Sequence, residues 1–175
     1  NIYPRSEYER RALVQKQFIE AFNEKTGYQV GFIEEDYKPN EFVEMVYEKQ
    51  LQNEKEGGKR CLACFDMRLE QVAEKAQELG YDFFASALTI SPHKNSQVIN
   101  TLGYEVQKIY GVKYLPSDFK KKGGFYRSIE MSEEYNLYRQ CYCGCVFSAR
   151  EQGVDLKKVN RQAREYVNKY CGSKN

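Results

Sequence analysis

Six cysteines and a single histidine carry most of the chemistry open to this sequence. Arg60-Cys61-Leu62-Ala63-Cys64-Phe65 sets a CxxC at the head of the strongest helical pattern in the chain. A helix N-terminus favours thiolate over thiol, and Arg60 adds positive charge, so this pair reads as ligands or nucleophiles. The second group is Cys141-Tyr142-Cys143-Gly144-Cys145. Gly144 permits a tight backbone turn, so the sulfurs of Cys143 and Cys145 can approach each other or a shared metal. Cysteines this dense are hard to explain as packing. On spacing alone, thiolates from Cys61, Cys64, Cys143 and Cys145 suit either a structural zinc or an iron–sulfur cluster. A zinc-stabilised RNA-binding module without redox chemistry is therefore the alternative to an enzyme. Cys171 reads as an incidental thiol.

Two loops add polar chemistry. Ser91-Pro92-His93-Lys94-Asn95 contains the only histidine, which reads as shaping a substrate pocket or as a plain polar loop residue. Phe119-Lys120-Lys121-Lys122-Gly123-Gly124-Phe125-Tyr126-Arg127 combines cations, a glycine pair and aromatics. Lysines neutralise phosphates and aromatic rings stack on bases, so Lys120, Lys121, Lys122, Tyr126 and Arg127 are candidates for RNA contact. The plain alternative is a mobile surface loop.

The elements that must position these residues follow from periodicity. Ser6-Glu7-Tyr8-Glu9 reads as a capping box that opens a helix to about Phe22. Tyr28 to Glu34 reads as a short strand, and a second helix is expected from Glu41 to Leu51. Phe65, Leu69, Val72, Ala73, Ala76 and Leu79 follow the helical repeat, with Gly80 as the stop. Asp82 to Thr89 reads as a strand covered on both faces. A helix over about 95–110 carries Val98, Ile99, Leu102, Val106 and Ile109 on one side, and Lys113 to Leu115 reads as a third strand. This order predicts an α/β fold, a parallel sheet with helical crossovers, followed by a helical and polar part from Ser132 onward. Chemistry is then expected beyond the carboxyl ends of the strands, where the loop at Ser91 falls. With no repeat or low-complexity linker, residues 1–175 read as one domain. Its start, Asn1-Ile2-Tyr3-Pro4, reads as the end of a loop, so the domain is expected to be N-terminally incomplete.

Composition narrows the class. Hydrophobic residues make up 41% and charged residues 30% of 175 residues, with a mean hydropathy of −0.77. No stretch approaches the ~18 apolar residues of a spanning helix, and no signal peptide is evident, so no membrane partner is expected. Clustered cysteines without a secretory signal suggest a reducing cytoplasm. The net charge is only +2, but it is unevenly spread. Lys108 to Arg127 holds six Lys/Arg against Asp118 alone, and Asp155 to Asn175 holds six against two acids. Basic segments on a near-neutral chain suggest a local anionic partner such as nucleic acid, or else a solvated face.

Taken together, these motifs resemble the QueH family of epoxyqueuosine reductases. The resemblance runs from Asn1-Ile2-Tyr3-Pro4 with Ser6-Glu7-Tyr8, through Arg60 to Phe65 with Arg68-Leu69, and through Thr89-Ile90-Ser91-Pro92-His93-Lys94-Asn95, to Tyr142-Cys143-Gly144-Cys145. It implies reduction of epoxyqueuosine to queuosine in the tRNA anticodon loop, the last step of that modification, without cobalamin. It implies an adenine-nucleotide-hydrolase-like (HUP-like) fold. It also implies a [4Fe–4S] cluster with Cys61 and Cys64 as two ligands, and an unidentified electron donor. Cys143 and Cys145 match the family's second pair, read as a redox-active disulfide or as ligands to an additional iron ion, and so as catalytic. Ser91, His93 and Lys94 fall to substrate binding. Two departures stand out. The family's adjacent cysteine pair, expected upstream of residue 1 as the other two cluster ligands, is absent here. Cys141 stands where many members carry an acid, which makes it a candidate replacement ligand. A sulfur-inserting tRNA enzyme on a related sheet would need a Gly-rich ATP loop, and no SGGxDS-like segment is present.

Overall fold

The computed structural model of the chain describes residues 1–171, the side chain of Cys171 excepted, so the incidental role expected of that thiol lies outside the described side chains. The fold is mixed α/β and mostly helical. It divides into two compact units: residues 1–49 with 132–175, and residues 50–131.

The second unit carries the sheet. Helix α3 (Lys59–Glu78) precedes strand β1 (Phe83–Phe84), helix α4 (Ser96–Tyr110) crosses over, and strand β2 (Lys113–Tyr114) pairs with β1 in parallel, Phe83 beside Lys113 and Phe84 beside Tyr114. One βαβ crossover is therefore present as expected. The sheet is smaller than expected, because Asp82 to Thr89 does not remain extended. Ser86 accepts a hydrogen bond from the Leu88 amide at 3.3 Å and turns the chain into a short 3-10 segment, Ala87–Ile90. Nor is β1 covered on both faces: Phe84 is 4% exposed and Phe83 52%.

The core of this unit lies between α3, α4 and the strands. Cys61, Phe65, Leu69, Ala73 and Ala76 form one stripe of α3 and meet Ile99, Val106, Phe84 and Tyr114. Val72, Leu79 and Ile109, expected on the packed faces, are exposed. Helix α4 begins as its sequence predicts, with the Asn95 side chain accepting from the amides of Gln97 and Val98 at 3.0 and 3.3 Å. Gly103 lets Tyr114 lie against α4, since a Cβ there would fall 2.4 Å from the Tyr114 Cζ.

The first unit is helical. Helices α1 (Arg5–Thr26) and α7 (Leu156–Cys171) pack together, with α2 (Pro39–Glu48) and α6 (Val146–Glu151) beside them in sequence. Helix α5 (Gly124–Glu134) spans the boundary between the units. Helix α1 starts a residue before the expected box, so Ser6 is already helical; its hydroxyl donates to Asn160 Oδ1 at 2.7 Å while Glu9 accepts from Arg5. The capping box therefore does not form. The strand expected over 28–34 is absent too. Asn23 takes both backbone groups of Val30, each at 3.0 Å, so an asparagine supplies what a neighbouring strand would have. No described helix is long and apolar enough to cross a membrane.

Candidate functional site

The CxxC lies deeper in its helix than the apolar repeat implied. Helix α3 starts at Lys59, with Gly58 as N-cap, because Glu54 reaches the helix end: its carboxylate accepts from the Lys59 amide at 3.0 Å. Arg60 is buried and donates to the Glu54 carbonyl, which ties the preceding turn to the first helical turn. Cys61 and Cys64 are both buried, and the Gly57 amide donates to Cys61 Sγ at 3.2 Å. Three residues apart on one turn, the two cysteines occupy neighbouring positions of the helix surface. They fit two positions of a thiolate ligand set. Among the described residues, however, no group of three His, Cys, Asp or Glu side chains could hold a metal ion. The residues present fit half of a cluster site and not the whole of one.

Lys94 ties the SPHKN loop to that turn. Its ammonium stands 3.3 Å from Glu56 Oε1 and 5.6 Å from the centre of the Phe65 ring, and its side chain is 9% exposed. Glu56 precedes Gly57, the donor to Cys61, and Phe65 follows Cys64, so the lysine is held from both sides of the CxxC. Lys120 then donates to the Lys94 carbonyl at 2.8 Å. The loops after β1 and β2 thus meet the head of α3 at the carboxyl end of the parallel pair. Behind them Thr89, Ser117, Asn100 and Tyr114 form a part-buried polar chain: Thr89 and Ser117 hydroxyls are 2.8 Å apart, and Asn100 Oδ1 accepts from the Tyr114 hydroxyl at 2.9 Å.

In the first unit, the Tyr142–Cys145 turn is held by residues that periodicity did not mark. Arg11 donates to the carbonyls of Cys143 and Tyr142 at 3.1 and 3.2 Å, and to Glu7 Oε1 at 2.8 Å. Glu7 is 0% exposed and also accepts from Arg10 Nε at 2.9 Å and from the Tyr138 hydroxyl at 3.2 Å. The Tyr3 amide donates to the Gly144 carbonyl at 2.8 Å. Gly144 has φ 126°, and a Cβ on it would fall 2.9 Å from Arg11 Nη1. Cys145 is buried and caps α6, its sulfur accepting from the Ser148 amide at 3.3 Å. Cys143 is half-buried and Cys141 exposed. Burial first, and then the Glu7 charge, pushes the Tyr138 phenol up to about 12; the same causes push Tyr142 up.

A family model described as "Epoxyqueuosine reductase QueH" matches residues 1–151. The chain is 60% identical over 170 residues to the epoxyqueuosine reductase QueH of Staphylococcus aureus, covering 97% of this chain and 71% of that protein. It is 59% identical over 167 residues to that of Streptococcus pyogenes serotype M1, covering 95% and 65%. For Thermotoga maritima the identity is 34% over 162 residues, covering 93% and 82%. The chain belongs to the QueH family. Within this member, Cys61, Cys64, Lys94 and Lys120 are gathered in one unit. Ser91 and His93 lie on the same loop, the Ser91 hydroxyl accepting from the His93 amide at 3.3 Å, with His93 exposed. Lys121 pairs with Asp118 at 3.3 Å and Arg127 with Glu130 at 3.2 Å, so each is engaged locally, while Tyr126 is open to solvent. Asp118 is partly desolvated, which pushes its carboxyl up, but the Ser96 hydrogen bond and the lysines outweigh that and hold it below its ordinary value. Cys141, Cys143 and Cys145 lie in the other unit. Arg10, Arg11 and Glu54 are marked by no sequence motif, and Glu7 only by the expected capping box and the QueH resemblance. The i, i+3 and i, i+4 spacing of Glu7 to Arg10 and Arg11 was the available signal.

Proposed function

We propose that this chain carries out the family's reaction, reduction of epoxyqueuosine to queuosine in the anticodon loop of tRNA, as part of a cytoplasmic enzyme that uses a [4Fe–4S] cluster and no cobalamin. The observation that carries the reading is the gathering of the CxxC turn, the SPHKN loop and Lys120 at the carboxyl end of the parallel strands. Family membership supports it. The βαβ crossover supports an adenine-nucleotide-hydrolase-like ancestry for the sheet.

Converting an epoxide to an alkene takes two electrons and two protons and releases the oxygen as water. When bound, an iron–sulfur cluster supplies electrons singly from an external donor. Cys61 and Cys64 would hold it, with the other ligands coming from outside the described residues. Lys94, fixed by Glu56 and the Phe65 ring, keeps the substrate loop against the CxxC turn. The exposed Lys122 and Tyr126 are suited to the phosphates and bases of the tRNA. Cys143, with its carbonyl held by Arg11, and Cys145 are assigned the second redox or metal role, and Cys141 stands as a further ligand to an additional iron ion.

The test is metal analysis of anaerobically purified full-length protein. About four irons with matching sulfide, lost in C61S and C64S variants, is the result expected. One zinc per chain and no sulfide would instead establish the zinc-stabilised tRNA-binding module.

A further inference from the structure

Helix α7 has two unlike faces. Val159 and Ala163 are buried, Asn160 accepts from Ser6, and the Tyr166 hydroxyl donates to Gln17 Oε1 at 3.1 Å, so one side is committed to α1. At about 100° per residue, Lys157, Arg161 and Arg164 fall within about 60° of one another on the opposite side. All three are exposed, as is Lys158 at their flank, and the helix carries one acid, Glu165. Among the described residues, none of these four side chains makes an ion pair. In the same unit Arg5, Arg10, Arg11, Lys25 and Lys38 each hold a carboxylate. From Lys157 to Arg164 the row runs about 10 Å. It carries uncompensated positive charge, and its outer positions 157, 161, 164 and 168 include no aromatic or aliphatic residue.

We infer that this face of α7 docks on the phosphodiester backbone of the tRNA. The inference rests on the proposed substrate. Cations without an adjoining ring neutralise phosphates and do not stack on bases, so the contact positions the RNA without reading its sequence. The lack of an apolar anchor beside the cations argues against a lipid surface. Helix α7 lies beyond the residues matched by the family model.

The experiment measures affinity of full-length protein for tRNA bearing epoxyqueuosine across a salt series. Replacing Lys157, Arg161 and Arg164 together by Gln is expected to weaken binding about tenfold at low salt and reduce the slope of log affinity against log salt by about two to three. The charge-preserving set K157R, R161K and R164K is expected to keep the wild-type slope, which separates lost charge from a damaged fold. Removing the same charge at paired positions, with K25Q, K75Q and K108Q, is expected to change the slope by less than about one. An unchanged slope in the Gln set, or an equal loss in the paired set, would overturn the assignment. Tighter binding of wild-type protein to phosphatidylserine vesicles or to an acidic polypeptide than to tRNA would overturn it as well. If wild-type protein converts no epoxyqueuosine, the functional reading fails; if it converts it while the Gln set keeps its slope, only this face is misassigned.

Discussion

At the scale of single residues, Glu7 organises the second cysteine group without touching a sulfur. Its carboxylate neutralises Arg10 and orients Arg11, whose other two nitrogens hold the carbonyls of Tyr142 and Cys143. Glu7→Gln leaves buried guanidinium groups under-compensated and is expected to cost about 3–5 kcal/mol in a denaturant titration. The loss should be larger than that from truncating the exposed Arg5–Glu9 pair, for which about 0–1 kcal/mol is expected. Tyr138 gives a pH signature. Its folded value near 12 lies above the ordinary 10, so folding favours the neutral phenol. That stability is fully present below pH 10 and is lost as pH rises through about 12. In thermal melts, Tyr138→Phe should lessen the fall in stability over that alkaline window, while at neutral pH it loses the hydroxyl's hydrogen bond to buried Glu7, at a cost of about 1.5–3 kcal/mol. The cysteines themselves were legible from their density, but the role of Glu7 was not. Its charge pointed to a helix surface, and only the fold shows two arginines one turn on folding over the same carboxylate.

At the scale of elements, the head of α3 and the Tyr142–Cys145 turn are both built by close backbone approach. Gly144→Ala sets a Cβ 2.9 Å from Arg11 Nη1 at a φ of 126°, so the guanidinium must leave the Cys143 carbonyl or the turn must open. Gly103→Ala drives a methyl into the Tyr114 ring, and overpacking of this kind costs about 1–3 kcal/mol, readable as a lower unfolding midpoint. Helix α4 was legible from its apolar stripe; the Asn95 cap and Gly111, which closes it in the left-handed region, emerge with the fold. The start of α3 was not, because a glutamate five residues upstream caps it. The strand expected over 28–34 failed for a similar reason: its backbone bonds are met by the Asn23 side chain instead of a neighbour. Alternation of apolar residues reports a burial pattern, and it cannot tell which partner satisfies the backbone.

At the scale of the whole molecule, uneven charge was the sequence feature that pointed to a polyanion, and the structure divides it. In the loop after β2, Lys120 and Lys121 are held by Asp118, which leaves Lys122 as the lysine of that group without an ion pair among the described residues. Neutralising Lys122 alone should therefore account for most of the drop in salt slope seen when all three are neutralised, a total of about one. The α/β order was readable from the alternation of helical and apolar segments. The modest extent of the sheet and the division into two units were not, since both depend on contacts between segments distant in sequence. The cysteine groups that looked like one centre each have their own supports, Glu54 and Lys94 for one and Glu7 with Arg11 for the other.

The most direct measurement is nucleoside mass spectrometry of tRNA bearing epoxyqueuosine after anaerobic incubation with the full-length protein and a chemical reductant. Loss of one oxygen atom from the modified base, giving queuosine, is expected with wild-type protein, and no such loss with C61S, C64S, C143S or C145S variants that still bind tRNA. Epoxyqueuosine recovered unchanged from wild-type protein loaded with iron and sulfide would contradict it.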